Sequence, residues 1–246
     1  MFRIKRVLIA GFAAAACFAG AANAADVPEI IEPPVFTPVE NDRDWYLRAD
    51  AGLMLNGWIG VAPNGRLCAP CFGNMLNEEM DLGITVGAGA GVKLNKWLRA
   101  DVTFEYRSDV DVRGSYSGGA REYADIQAFA GFVNGYVDFS KWEKITPYVG
   151  AGIGASLLRT TDNHQIGACN CVTGRWSAAN KFNLAWNVTA GAAIKLKENV
   201  DLDVNYRFAH LGTAQSGATT FGGGSRVEWR DIRAHDIRAG IRLKLW

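Results

Sequence analysis

Four groups of residues could do chemistry in this chain. Beyond position 24 the cysteines fall in two close pairs, Cys68 with Cys71 and Cys169 with Cys171. Such pairs form disulfides in an oxidising compartment and hold metals or do redox chemistry in a reducing one. A bridge across the single residue between Cys169 and Cys171 is strained. Cys68–Cys71, in a turn with Pro70, or a staple between the two pairs is therefore the expected connection. The histidines His164, His210 and His235 could act as bases, but no Ser or Asp is placed so as to demand one of them as partner. The glycine runs Gly87–Gly91 and Gly150–Gly154 lack the G-x-G-x-x-G spacing of a nucleotide loop, and neither opens a helix. These three groups predict a chain that is not an enzyme, with no cofactor and no metal site.

The fourth group is a charged row. Arg48, Asp50, Lys93, Arg99, Asp101, Glu105, Arg107, Lys195, Asp201, Asp203, Arg207, Arg238, Arg242 and Lys244 recur at even spacing, with mostly apolar residues between them. Only a strand puts such residues on one face. Both signs occur on neighbouring segments, so the row predicts an internal salt-bridge network that fills a narrow barrel, with a thin ion path as the rival reading. The glycine runs have the same period of two and fall on the same face, which leaves room for large Arg and Tyr side chains.

The elements that must carry this row are strands. Alternation is sustained over 82–94, 97–107, 181–196 and 200–208, with less regular copies at 45–55, 124–139, 147–158 and 227–245. Eight strands of about 9–19 residues exceed the ordinary mean of about 5–6 and are long enough for a tilted strand to cross a bilayer. The connections at 95–96, 140–146 and 197–199 are short. Those at 56–81, 108–123, 159–180 and 209–226 are long and rich in Gly, Ser, Thr and Asn. Sorting of this kind, with an even strand count, is the pattern of a transmembrane β-barrel with short periplasmic turns and long outside loops. Trp45, Trp97, Trp142 and Trp246 lie at one set of strand ends, and Tyr106, Phe182, Phe208 and Trp229 near the other, predicting two aromatic girdles.

The start of the chain fixes the compartment. Arg3, Lys5 and Arg6 precede an apolar run from Val7 to Ala21 and the small-residue site Ala22-Asn23-Ala24, the three parts of a secretory signal peptide over 1–24. Cleavage leaves 222 of the 246 residues, with 23 Lys+Arg (26 less those three) against 25 Asp+Glu. A balance of about −2 excludes a strongly basic nucleic-acid binder. A mean hydropathy of −0.02 excludes a bundle of membrane helices. Residues 25–44 hold four of the seven prolines and six acids, and predict an extended, solvated periplasmic spacer ahead of a barrel domain over 45–246.

Read together, these stretches resemble a known family. The leader ending in Asn23-Ala24-Ala25-Asp26, the Pro/acid spacer, Trp45–Gly52, Thr146–Gly152, Tyr206-Arg207-Phe208 with Leu211-Gly212, and His235–Gly240 are similar to the small outer-membrane β-barrel proteins of alphaproteobacteria. These are porin-like surface proteins of the eight-stranded OmpA/OmpX-like group. The resemblance spans nearly the whole mature chain. It implies an all-β, eight-stranded antiparallel transmembrane barrel in the cell outer membrane. The partners it implies are outer-membrane lipid and lipopolysaccharide, the barrel-assembly machinery during biogenesis, and an unidentified surface ligand. It further implies a role in membrane integrity and in presenting loops outward, with a small porin for ions or solutes as the alternative. Family members end on an aromatic residue in the lipid-facing row. Here that row is Ile237, Ala239, Ile241, Leu243 and Leu245, so Trp246 falls one residue out of phase.

Overall fold

In a computed structural model the protein is described over residues 44–55, 60–64, 75–80, 82–116, 118–139, 142–219 and 226–245. The expected leader, all of the spacer but Asp44, Cys68, Cys71 and Trp246 lie outside these residues. Eleven strands are described, and no helix: β1 (Trp45–Leu55), β2 (Gly60–Asn64), β3 (Met75–Met80), β4 (Gly83–Lys93), β5 (Leu98–Tyr116), β6 (Arg121–Asp138), β7 (Ile145–Ile166), β8 (Val172–Arg175), β9 (Ala179–Lys197), β10 (Val200–Gln215) and β11 (Arg226–Lys244).

Eight of them form a closed antiparallel wall in the order β1-β4-β5-β6-β7-β9-β10-β11. The seam is β1 against β11, in register from Tyr46↔Lys244 to Leu55↔His235. Closure leaves the sheet no terminal edge strand, as a bilayer demands because lipid cannot hydrogen-bond a peptide group. The short turns are tight. In the first, Asn95 Oδ1 accepts the amides of Trp97 (2.9 Å) and Leu98 (2.7 Å).

At the other end the expected long loops are in large part strand. β5 and β6 stay paired out to Ser115↔Arg121, and β7 continues to Ile166 with β8 added beside its end. β3 pairs with β5 and β2 with β11, carrying the wall outward past the ends of β1 and β4. Simple alternation misses these extensions because the register shifts at their base. The irregularity between Arg107 and Val110 moves the inward row from odd to even numbers, and Asp162 and Asp231 have positive φ (49° and 56°) on β7 and β11. One extra residue exchanges the two faces beyond it.

The two faces are chemically opposite. Outward residues are apolar and bare, with Leu184 at 81 % exposure and Phe104 and Ile153 at 70 %. Inward residues are small, polar or charged, and buried. A Cβ on Gly91 would run into the Tyr46 ring, and one on Gly152 into Asn134, so the inward glycines do make room for larger neighbours. Trp45, Trp97 and Trp142 stand exposed at the short-turn end and form the inner girdle. Trp229 does not join the outer one. The displacement at Asp231 turns it into the lumen, where it is 1 % exposed.

Candidate functional site

The inner half of the lumen is an ion layer built on the charged row. Glu105 of β5 is its centre. Its carboxylate takes Arg238 of β11 in a two-bond fork (Nη1–Oε1 and Nη2–Oε2, both 2.8 Å), Arg107 at 3.1 Å, and Arg207 of β10. Arg107 reaches across to Asp236 with a second fork (2.9 and 2.8 Å), and Asp236 also accepts Arg238 at 2.8 Å. Arg238 Nη1 lies 3.1 Å from Asp50, which binds Arg48 at 3.0 Å. One network therefore joins β1, β5, β10 and β11 across the bore.

Nearer the inner mouth, Asp101 accepts Asn134 (2.8 Å), Tyr46 (3.1 Å) and Arg48 (3.3 Å). Asp203 accepts Tyr148 (2.6 Å), Asn205 (2.9 Å) and Arg242. Arg99 pairs with Asp138 at 2.8 Å, its guanidinium 4.2 Å from the Tyr136 ring and 4.4 Å from the Tyr148 ring. Asp201 holds Lys244 at 3.1 Å. Of these groups Tyr46, Arg99, Asp138, Asp201, Arg242 and Lys244, together with Asp44 and Lys93, line a vestibule of about 90 Å³ at the short-turn end, and Lys195 is exposed on the same rim.

Eleven of the fourteen residues of the charged row are buried, each with a carboxylate or guanidinium partner or, for Asp201, an ammonium, while Lys93 and Lys244 are half-buried and Lys195 is exposed. Buried ions are tolerated on that condition, since an unpaired one costs several kcal/mol. Sequence reasoning missed Asp236, although it shares the row of Arg238 and Arg242. It also missed Tyr46, Tyr136, Tyr148 and Asn134, which are uncharged and so did not stand out among inward residues.

Above the ion layer the lumen becomes apolar. Val112, Ile126, Phe132, Leu158, Leu211, Val227, Trp229 and Ile232 pack together, each at 4 % exposure or less. Ala128 lies opposite Arg107 in register, and Ile126 is the next inward residue on the same strand, so the layers adjoin. A permeant ion would have to pass both the salt-bridge layer and the apolar one.

Outside the lumen, the apolar band ends at Tyr106, Phe129, Leu157, Phe182 and Phe208. Tyr106 and Phe129 touch (ring centroids 5.2 Å), and the Tyr106 hydroxyl accepts Gln127 at 2.9 Å. The histidines stand at or above this level. His210 stacks on Trp186 and lies 3.5 Å from Asp231, His164 lies 3.7 Å from Asp162, and His235 Nδ1 meets the Tyr206 hydroxyl at 2.5 Å. Two histidines therefore have acidic neighbours that sequence reasoning did not assign to them.

The outer extensions are polar. Asp111 of β5 lies directly opposite Asp125 of β6, with Asp109 and Asp162 near enough to act on the latter. Burial, a hydrogen bond with Asp111 and the three neighbouring carboxylates push the Asp125 carboxyl up to about 6. The cysteine expectation is corrected: Cys169 and Cys171 are bonded to each other. Asn170 between them takes a left-handed φ of 56°, which an Asn tolerates, and folds the chain so that the two Cα atoms are 5.3 Å apart.

Comparison with known proteins agrees with this architecture. The family described as "Outer membrane protein beta-barrel domain" matches residues 10–244. A Rickettsia bellii protein described as a candidate adhesin is 26 % identical over 231 residues, 85 % of this chain and 90 % of that protein. An uncharacterized Brucella suis protein is 26 % identical over 265 residues, 91 % of this chain and 93 % of that one. Among solved structures, the outer membrane protein OprG from Pseudomonas aeruginosa aligns with a TM-score of 0.52 at 12 % identity, over 82 % of this chain and 97 % of that one. Neisserial surface protein A gives 0.50 at 17 % identity, with the same coverages. These structures share the fold.

Proposed function

The chain belongs to the outer membrane protein beta-barrel domain family, and on that premise we propose that it is a plugged, non-enzymatic barrel whose work is done by its outer wall. The observation that carries this reading is the contrast between the two ends. The bore is filled by a charge network and an apolar layer, whereas β5, β6 and β7 run far beyond the lipid-facing band with charged outward residues. Such a wall holds surface groups in fixed positions, which favours contact with another surface at low entropic cost. The description of the Rickettsia relatives as candidate adhesins supports the same direction.

Lipid surrounds the wall. Arg159 of β7 and Arg233 of β11 point outward just past the apolar band, a placement suited to lipopolysaccharide phosphates. The barrel-assembly machinery is the remaining partner we assign. The 1–24 leader, the 25–44 spacer and the 45–246 barrel are kept as the domain scheme.

The test is attachment. Cells displaying the barrel should bind an epithelial monolayer, and a variant with the β5–β6 hairpin cut back to join Arg107 to Ala128 should lose most of that binding. Unchanged attachment after trimming, together with steady single-sized conductance, would favour the small-porin reading instead.

A further inference from the structure

β9 and β10 are paired from Val200↔Lys197 to His210↔Trp186, and then they part. They meet again only higher up, where Gly217 N donates to Ser177 O (2.8 Å) and Ser177 N to Ala218 O (3.2 Å). Between these points residues 211–216 sit on the lumen side of β9 rather than beside it. Ser156 and Thr160, inward residues of β7 on the far side of β9, donate their hydroxyls to the carbonyls of Leu211 (2.5 Å) and Gln215 (2.9 Å). The inward amide of Asn183 does the same for Thr213, donating to its carbonyl (3.0 Å) and accepting its N–H (3.1 Å). Gly212 makes the sidestep with a φ of 93°, and a Cβ there would come within 2.6 Å of Asn183 Cβ.

The sidestep leaves the β10-facing edge of β9 from Ala179 to Ala185 with no strand registered against it. That stretch carries Phe182 and Leu184, 74 % and 81 % exposed on the lipid side. An unpaired strand edge at such a level is costly. Continuing the register of Trp186↔His210 would bring Thr213 opposite Asn183, the residue whose side chain now holds it. Gly212, Ala214 and Gln215 stay registered with Ile232, Trp229 and Glu228 of β11, so an outward shift that carries this end of β11 along would complete the β9 ladder without slipping it.

We propose that residues 211–216 have two seats, the lumen seat seen here and a wall seat beside β9, and that leaving the lumen opens a pocket for a small neutral amide or ester with a short aliphatic chain. The chemistry follows from what the segment now uses. Its departure frees three donors, on Ser156, Thr160 and Asn183, which today hold three carbonyl oxygens. The surrounding walls, Ile126, Phe132 and Leu158, are apolar and exclude a charged ligand. Below lies the ion layer, so the pocket is a dead end and not a channel. This inference stands independently of the surface-contact reading.

The test uses full-length protein in deuterated-lipid nanodiscs, with only Ile, Leu and Val methyls protonated, and N-butylhexanamide as probe. Gly212→Val is strained at its positive φ and clashes with Asn183, so it should favour the wall seat. Amide exchange over 179–185 should then slow by about tenfold or more. Magnetisation transfer from the probe to the Leu158 and Ile126 methyls should exceed that in the wild type. Ser156→Ala combined with Thr160→Val weakens the lumen seat by another route and serves if the first variant does not fold. It should slow the same exchange but bind the probe less well. Unchanged exchange in both variants overturns the proposal. So does transfer confined to outward residues such as Leu184.

Discussion

Arg238 on β11 and Glu105 on β5 face each other across the lumen and close a two-bond ion pair, both contacts 2.8 Å, with neither side chain more than 1 % exposed. Strands from opposite sides of the wall are thereby tied through the middle of the bore. Because Arg107 and Arg207 share the same carboxylate, its removal leaves three buried guanidinium groups short of a partner.

Glu105→Ala should therefore destabilise the barrel by about 3–5 kcal/mol. Urea unfolding in lipid vesicles, followed by tryptophan fluorescence, measures this directly. A loss below about 1 kcal/mol would mean that the network is solvated and the lumen wet.

The two faces should fail by different routes. Val86, outward and 44 % exposed, sits in the lipid-facing band, so Val86→Arg should cost about 2–4 kcal/mol, and Gln127→Arg at the outer edge of the band about 0–1 kcal/mol. Gly89, three residues along the same strand, faces inward, where a Cβ would come within 2.5 Å of the Val102 carbonyl and 2.9 Å of Thr103 Cγ2. Gly89→Trp should overpack the interior and block folding rather than insertion. Unboiled and boiled gel mobilities of the variants separate the two outcomes. Equal costs at positions 86 and 127 would remove the assigned lipid boundary.

How legible this was depended on where alternation stayed unbroken. The seam between 45–55 and 237–245 and the inward row from Arg99 to Arg107 follow from strict period two, because a strand has no other way to sort its faces. The outer wall did not follow, since each irregularity at Arg107–Val110, Asp162, Gly212 and Asp231 exchanges the faces with no compositional warning. Trp229 shows the consequence: its position suits a girdle, and its register puts it inside. The Cys169–Cys171 bond was not legible because the left-handed turn at Asn170, which brings the two Cα atoms to 5.3 Å, leaves no mark in the spacing.

The Asp125 carboxyl, raised to about 6 by burial, its hydrogen bond with Asp111 and the charges of Asp111, Asp162 and Asp109, gives the outer wall a pH dependence. A carboxyl raised in the folded state contributes stability below its unfolded value of 3.8, and loses it as pH climbs through about 6. Arg113 lies 3.6 Å from Asp111. Amide exchange over the outer β5–β6 hairpin should accelerate between pH 4 and 7 relative to the intrinsic rate, and Asp125→Asn should flatten the curve. The same slope in the variant would contradict the assignment.

Alkylation without reductant should leave Cys169 and Cys171 unmodified, and reduction should expose both within one tryptic peptide while the barrel stays folded, because no ladder pairing passes through the bond. A cross-linked peptide joining either residue to Cys68 or Cys71 would replace this pairing with a staple between loops.

Single-channel recording in planar bilayers asks whether the lumen is shut. Refolded protein, shown by its gel mobility to be closed, should give no steady conductance above the bare membrane in high salt, because ions meet the Glu105–Arg238–Asp236 network and then the layer around Phe132, Leu158 and Trp229. Reproducible openings of one uniform size, abolished by enlarging a side chain at Ala128, would contradict it and make the bore a pore.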